Sequence, residues 1–154
     1  MAAVIVSIKD HPEYVDIVSE WCYNEWLEEN ADCGIFSEAQ YKEDIIKNYL
    51  RTDTAWPVLL VAVLLSGEPC GTVALDGRDM SQRPDLSPWL ASLFVPPQFR
   101  RRGIGLQLVR GLQDVRFRQI RAIAILWKYG GDYGMDCYNT SKKLLLNFFF
   151  RSNV

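Results

Sequence analysis

The apolar positions along the chain change rhythm several times. Residues 2–8 form a short apolar, β-branched run, which predicts a strand. Asp10 and Glu13 then stand in capping-box spacing around Pro12, the pattern of a helix start. Behind them Tyr14, Val18, Trp21, Cys22 and Trp26 recur every three or four positions, so one helix is expected to about Asn30. Gly34 lies in a short link. Ser37 and Gln40 form a second capping box, and Tyr41, Ile45, Ile46 and Tyr49 give the stripe of a second helix ending near Arg51.

From there the pattern shortens. Pro57 to Leu65 is almost continuously apolar, Ser66-Gly67-Glu68-Pro69 reads as a turn, and Gly71 to Leu75 continues as a strand. This predicts an antiparallel hairpin at the heart of a sheet. Residues 76–88 are polar and turn-rich, hence a loop. Trp89 to Val95 reads as a buried strand stopped by Pro96-Pro97, and Ile104, Leu108, Leu112 and Val115 mark a helix. Arg121 to Trp127 is a further strand, whereas Leu144 to Phe150 is too short for periodicity to separate helix from strand. The order is strand, two helices, three strands, helix, strand and a tail. That is a mixed α/β (α+β) domain.

Size and composition narrow the class. The 154 residues fit a single domain over residues 1–154, and 49% hydrophobic content suffices for a core. No apolar run approaches the ~20 residues that cross a bilayer, so no membrane partner is expected. Met1 to Val6 carry no basic lead-in, and the segment does not read as a secretion signal. Cys22, Cys33, Cys70 and Cys137 lack metal-type or redox-type spacing, and His11 is the only histidine. No metal site is expected, and free thiols point to a reducing cytoplasm. Residues 1–56 hold twelve acidic and four basic side chains, while residues 98–128 hold seven arginines and one lysine against Asp114 alone. Such segregation fits two solvated faces or a polyanionic ligand near the basic segment. A motif decides between them.

The motif runs Leu93-Phe94-Val95-Pro96-Pro97-Gln98-Phe99-Arg100-Arg101-Arg102-Gly103-Ile104-Gly105-Leu106: strand, Pro-Pro, basic glycine loop, helix. A helix start presents backbone N–H groups without internal partners, and the helix dipole adds positive charge there. Gly103 and Gly105 bring no Cβ to hold a bulky anion away, and the arginines add full charges. Such a turn suits a pyrophosphate. A Walker loop is excluded, because no Gly-Lys-Ser/Thr ending follows. A dinucleotide fingerprint is excluded too, because Leu108 stands where its third glycine belongs. Arg110, Arg116 and Arg118 lack the aromatic interleaving of a nucleic-acid surface, so no nucleic acid is expected.

Residues 89–127 resemble the core of the GNAT superfamily of N-acetyltransferases, whose Arg/Gln-x-x-Gly-x-Gly/Ala pattern follows a strand ending in Val-x-Pro. Arg100-Arg101-Arg102-Gly103-Ile104-Gly105 matches each fixed position, and the order of elements agrees over residues 2–127. Asp85 to Leu90 is also similar to small bacterial members. The resemblance implies a GNAT-like, mostly antiparallel sheet flanked by helices, and acetyl-CoA as cosubstrate. Its pantetheine would lie between splayed strands 89–95 and 121–127, against backbone groups of Leu93, Phe94 and Val95. Its pyrophosphate would sit on Arg100 to Leu106. The implied reaction is direct acetyl transfer to a primary amine, with an oxyanion held by a backbone N–H and a carboxylate or water chain as base.

The acceptor side rests on fewer residues. Asp76 and Asp79 follow a strand that should border the cleft, as amine ligand and base, although turn-formers need no function. Glu25 and Trp26, on the first helix, are expected to wall the acceptor pocket; a solvated face and core packing are the plainer readings. The acidic bias of residues 1–56 favours a cationic acceptor, a small molecule or a peptide. The tyrosine that protonates the leaving thiolate in the family falls at Tyr138 by distance from the strand, while anchoring on Asn139 places Leu146 there. The tail after Trp127 lacks the family's Gly-Phe turn and leaves a sheet edge that a homodimer would cover. The alternative function is a coenzyme-binding module with weak catalysis.

Overall fold

The computed structural model describes residues 2–52, 57–76, 89–116 and 124–125. They form a mixed α+β fold around one five-stranded sheet. Its strands are β1 (Ala3–Ser7), β2 (Val58–Leu64), β3 (Pro69–Asp76), β4 (Trp89–Phe94) and β5 (Ala124–Ile125), lying side by side in chain order. The first four pair antiparallel, and β5 joins β4 in parallel. A parallel pair needs a crossover, and helix α4 (Ile104–Arg116) lies within it.

The β2–β3 hairpin forms as its sequence predicts. Leu64 N–H donates to the Glu68 carbonyl at 2.8 Å, and Gly67 takes φ +87° in the turn. Residues Leu59 to Val63 are buried without interruption because helices cover both faces of the sheet. Leu60 and Ala62 face α4, together with Leu90, Ile104 and Leu108. Leu59, Val61 and Val63 face the other layer, with Val18, Cys22 and Ile45. That layer is built from α1 (Val15–Glu25), α2 (Leu27–Asp32) and α3 (Glu38–Ile45), the last prolonged by a π-helical turn at Ile46–Leu50.

The two expected capping boxes fare differently. At Ser37 the cap forms: Gln40 N–H donates to Ser37 Oγ at 3.2 Å, and Phe36 N–H donates to Gln40 Oε1 at 2.7 Å. At Asp10 it does not. Glu13 is engaged by His11 Nδ1 at 2.9 Å, Pro12–Tyr14 form a 3-10 turn, and α1 starts only at Val15. The single helix expected to Asn30 is also divided. Trp26 leaves helical geometry (φ −121°, ψ 48°), and Asn30 Nδ2 bonds the Cys22 and Tyr23 carbonyls, satisfying the C-terminal end of α1 that the break exposes. Asp76 ends β3 rather than opening the loop. The rest of the strand expected at 121–127, apart from Ala124 and Ile125, and the segment 144–150 lie outside the described residues.

Two glycines seat α4 on the sheet. A Cβ at Gly71 would come within 3.0 Å of Leu108 Cδ1 and of the Phe94 carbonyl oxygen. One at Gly111 would lie 2.7 Å from Ile5 Cγ2 and 3.3 Å from Ile5 Cβ. Ile5 is β-branched, so these atoms cannot swing aside cheaply. Gly111→Val is therefore expected to lower unfolding stability by roughly 1–3 kcal/mol, the usual cost of overpacking. Urea melts of Gly111→Val, Ile5→Ala and the double variant should show a positive coupling, with Ile5→Ala relieving much of the loss. Additive effects would mean that α4 rides higher on the sheet.

Candidate active site

The basic loop is built outward from a buried anchor. After β4 the chain turns through Pro97–Phe99, where Phe99 N–H donates to the Pro96 carbonyl at 2.9 Å and the Phe99 ring enters the core. Arg101 then takes φ +58° and Gly103 φ +79°. Left-handed residues in such a turn direct successive N–H groups toward one concave side. Gln107 N–H donates to the Gly103 carbonyl at 3.1 Å, closing the first turn of α4. The amides from Gly103 to Leu106 precede that first intrahelical bond, as helix starts require.

The glycines of this loop differ from those that seat the helix. A Cβ at Gly103 would meet nothing within 4 Å, and one at Gly105 only Val95 Cγ2 at 3.9 Å. Packing does not demand glycine at 105, and the space beside both positions is open to a ligand. A pyrophosphate therefore fits the loop. The three arginines do not act alike. Arg100 Nε donates to the Val95 carbonyl at 2.8 Å, and its guanidinium stands 5.9 Å over the Phe94 ring, so it braces the end of β4. Arg101 and Arg102 are exposed on the loop. Ile104 is a core residue and offers the site only its backbone, whereas Leu106 is exposed.

Strand β4 lies between β3 and β5. Against β5 only Trp89 and Leu90 pair, opposite Ala124 and Ile125. Among the described residues, Ala91 to Phe94 have no strand partner on that side. Against β3, Ala91 opposes Ala74 and Phe94 opposes Thr72, so Ser92 and Leu93 together face Val73. This is a β-bulge, and Ser92 sits in it with φ +51°. Leu93, Phe94 and Val95 thus lead from the bulge to the basic loop.

The α1–α3 layer meets β4 at the same place. The rings of Trp21 and Trp26 stand 5.7 and 6.4 Å from that of Phe94. Trp26 is therefore at the strand end, while Glu25 is exposed on the helix before it. Tyr41 packs against the core layer that holds Cys22, and burial pushes its phenol well above the ordinary value. Tyr49 donates from its hydroxyl to Asp76 Oδ2 at 3.2 Å. Burial, then the neighbouring Asp76 charge, push the Tyr49 phenol well above its ordinary value, so it stays a proton donor. Asp79 and Tyr138 lie outside the described residues. Sequence reasoning missed Ser92, Tyr41 and Tyr49; the one available signal was two tyrosines, with polar tips, in the apolar stripe of α3. Among the described residues no group of three His, Cys, Asp or Glu side chains could hold a metal, and no helix is long and apolar enough to cross a membrane.

A family model described as Acetyltransferase (GNAT) family matches residues 14–129. The chain belongs to this family. No curated protein matches it in sequence. Among solved structures, aminoglycoside N-acetyltransferase AAC(6')-Iy in complex with CoA superposes with TM-score 0.61 at 18% identity, over 94% of this chain and 86% of that one. A GNAT-family acetyltransferase from Staphylococcus aureus gives TM-score 0.56 at 17% identity, over 95% and 81%. An aminoglycoside acetyltransferase from an uncultured soil metagenomic sample gives 0.57 at 18%, over 94% and 91%. At such identities the likeness is one of fold. In this GNAT acetyltransferase, the pieces that the fold brings together are the basic loop, the bulged β4 and the rings of Trp21, Trp26 and Phe94.

Two of the described thiols differ in their access to solvent. Cys22 is fully buried, and burial pushes its thiol up to about 12, while Cys33 is exposed. At pH 8 a maleimide should label Cys33 quickly and Cys22 only at the rate of unfolding, followed by peptide mass spectrometry. Fast labelling of Cys22 in the folded protein would contradict the packing of α1 described above.

Proposed function

We propose that this chain transfers the acetyl group of acetyl-CoA to a primary amine by direct attack. The observation that carries the reading is the basic loop, where Arg101 and Gly103 are left-handed and open space lies beside Gly103 and Gly105 at the α4 start. Those amides hold the pyrophosphate, with Arg101 and Arg102 adding charge at the rim. Leu93, Phe94 and Val95 offer backbone groups to pantetheine between the β4 bulge and the basic loop. A bulge N–H faces the thioester oxygen and stabilises the oxyanion formed when the neutral amine attacks. The new C–N bond forms, the C–S bond breaks, the amine proton passes to a base, and the thiolate takes a proton. Asp79 is the proposed base and Tyr138 the proposed acid.

The acceptor is a cationic amine. Asp76, fixed by Tyr49, is a carboxylate ligand for it, Trp26 supplies the wall, and Glu25 adds negative charge at the rim. The excess of acidic side chains in residues 1–56 favours approach of a cation. AAC(6')-Iy, which has also been solved with a CoA-linked acetylneamine bisubstrate analog, supports an aminated small molecule as the acceptor class.

Coenzyme A at a hundredfold excess over its Kd should stabilise the protein by about 2.7 kcal/mol, a rise of roughly 5–10 °C in Tm. Gly105→Val should leave the unliganded Tm within a few degrees and abolish the rise. If the rise survives, the pyrophosphate lies elsewhere. Thermal shift without thioester consumption across an amine panel would favour the binding module instead.

If Tyr138 is the general acid, Tyr138→Phe should lower kcat about 10²–10⁴-fold while coenzyme A affinity holds. Phenylalanine at Tyr129 or Tyr133 should change little. An active Tyr138→Phe would assign the proton to water.

A further inference from the structure

Among the described residues, strand β1 is an edge of the sheet, paired on one side only, with β2. The register fixes which of its backbone groups face outward. Ile8, next along the chain and opposite Leu59, donates its N–H to the Leu59 carbonyl at 3.0 Å. Hydrogen-bonded and non-bonded residues alternate in an antiparallel pair. Val4 and Val6 therefore also bond β2, while Ala3, Ile5 and Ser7 turn their N–H and C=O groups away from it. Edges of this kind are usually blunted by a charge, a proline or a bulge. Residues 2–8 contain no charged side chain and no proline, and the β1–β2 register runs without a bulge.

Two of the outward groups are already satisfied within the same copy. Ala3 N–H donates to Gln107 Oε1 at 3.1 Å, and the Ser7 carbonyl accepts from the N–H groups of Asp10 and His11, each at 3.1 Å. Among the described residues, the Ala3 carbonyl, both groups of Ile5 and the Ser7 N–H have no partner. This free set is self-complementary. When two β1 strands pair antiparallel about a two-fold axis at Ile5, each Ile5 N–H meets the Ile5 carbonyl of the other copy. Each Ser7 N–H meets the other copy's Ala3 carbonyl. The groups left facing each other, Ala3 N–H and the Ser7 carbonyl, are the two already bonded. Neighbouring registers lack this match. Centring on Val4 sets the free Ile5 carbonyl against the occupied Ala3 N–H, and centring on Val6 sets the free Ile5 N–H against the occupied Ser7 carbonyl.

The side chains agree. Pairing about Ile5 sets Val4 against Val6 of the other copy as a non-hydrogen-bonded pair, in which side chains approach most closely. Val4 is 51% exposed, so the pairing covers an apolar side chain that a single copy leaves in water. Because β1 carries no charge, the two-fold sets no like charges opposite each other.

We propose that the β1 edge is a homodimer interface: two copies pair β1 with β1 antiparallel about Ile5 and join their sheets into one. It is the opposite edge of the sheet from the one expected to need cover after Trp127. This holds independently of the acetyl-transfer reading, since β2 and β3 separate β1 from β4 and the interface uses none of the residues assigned to the coenzyme.

Sedimentation equilibrium of the full chain over a wide concentration range reads the association, and amide exchange by NMR reads the edge. A dimer is expected in which the Ile5 and Ser7 amides exchange slowly at high concentration and faster on dilution, while Val4 and Val6 stay protected throughout. A mixture of labelled and unlabelled chains should show a contact between Val4 Hα and Val6 Hα across copies. Ser7→Pro removes an N–H that a single copy does not use, at a strand edge that tolerates proline. It should weaken the dimer about 10- to 100-fold, the worth of one lost pair of hydrogen bonds. Val4→Lys should also weaken it, with the circular dichroism unchanged. Phe36, 69% exposed in the link before α3, is the competing apolar contact, and Phe36→Lys should leave the dimer intact. A strict monomer overturns the proposal even if Ile5 and Ser7 are protected, because another segment of the chain then covers the edge. So does a dimer that survives both β1 variants, or one that Phe36→Lys dissociates. Should a β1 variant fail to fold, the exchange pattern and the Hα contact of the unmodified protein decide.

Discussion

The site depends on how closely helix α4 lies on the sheet. Gly71 and Gly111 remove the two side chains that would lift it, leaving Leu108 Cδ1 against one and Ile5 Cγ2 against the other. Gly71 also lies under the Phe94 carbonyl, so the same contact fixes helix, strand β3 and the end of β4 together. The start of α4 is thereby held beside the point where β4 stops pairing. A few tenths of an ångström there would separate the amides proposed to bind the anion from the strand proposed to receive the rest of the same ligand. Core packing at near-crystalline density makes such a shift costly, and the geometry of a flexible-looking loop is inherited from a rigid layer.

Two kinds of glycine therefore serve the protein in different ways. Those at 71 and 111 are demanded by neighbouring protein atoms, while Gly105 meets only an ordinary contact and the space at Gly103 is empty. The arginines divide likewise. Arg100 is tied to the Val95 carbonyl and the Phe94 ring, and its role is to brace the strand end. On the opposite face, Trp21 and Trp26 close on the same Phe94 ring. The end of β4 is thus held by contacts from the basic loop and from the α1 layer.

What the sequence revealed follows from which interactions are local. The glycine loop, the hairpin turn and the Ser37 cap are written in contiguous residues whose chemistry has few other uses, and all three form where expected. The apparent cap at Asp10 fails because Glu13 has a nearer partner in His11. The helix break at Trp26 leaves the three- and four-residue rhythm intact, so periodicity runs across it unseen. Ser92 carries no mark of its left-handed conformation, because the β4 bulge that it occupies is set by pairing with β3, distant in the chain. Tyr49 likewise counts as one more apolar position in a stripe until the fold brings Asp76 to its hydroxyl. A basic residue in a basic loop reads as a ligand for an anion, and only the structure separates Arg100, turned back on its own strand, from its neighbours.

The central claim is that one ligand spans the α4 amides and the end of β4. An amide-resolved NMR titration with coenzyme A addresses it directly. The account predicts that the largest shifts fall on Gly103, Ile104, Gly105 and Leu106, with a second set at Leu93 and Phe94, saturating together at one Kd. Principal shifts confined to residues of α1 to α3, or two sets that saturate independently, would contradict it.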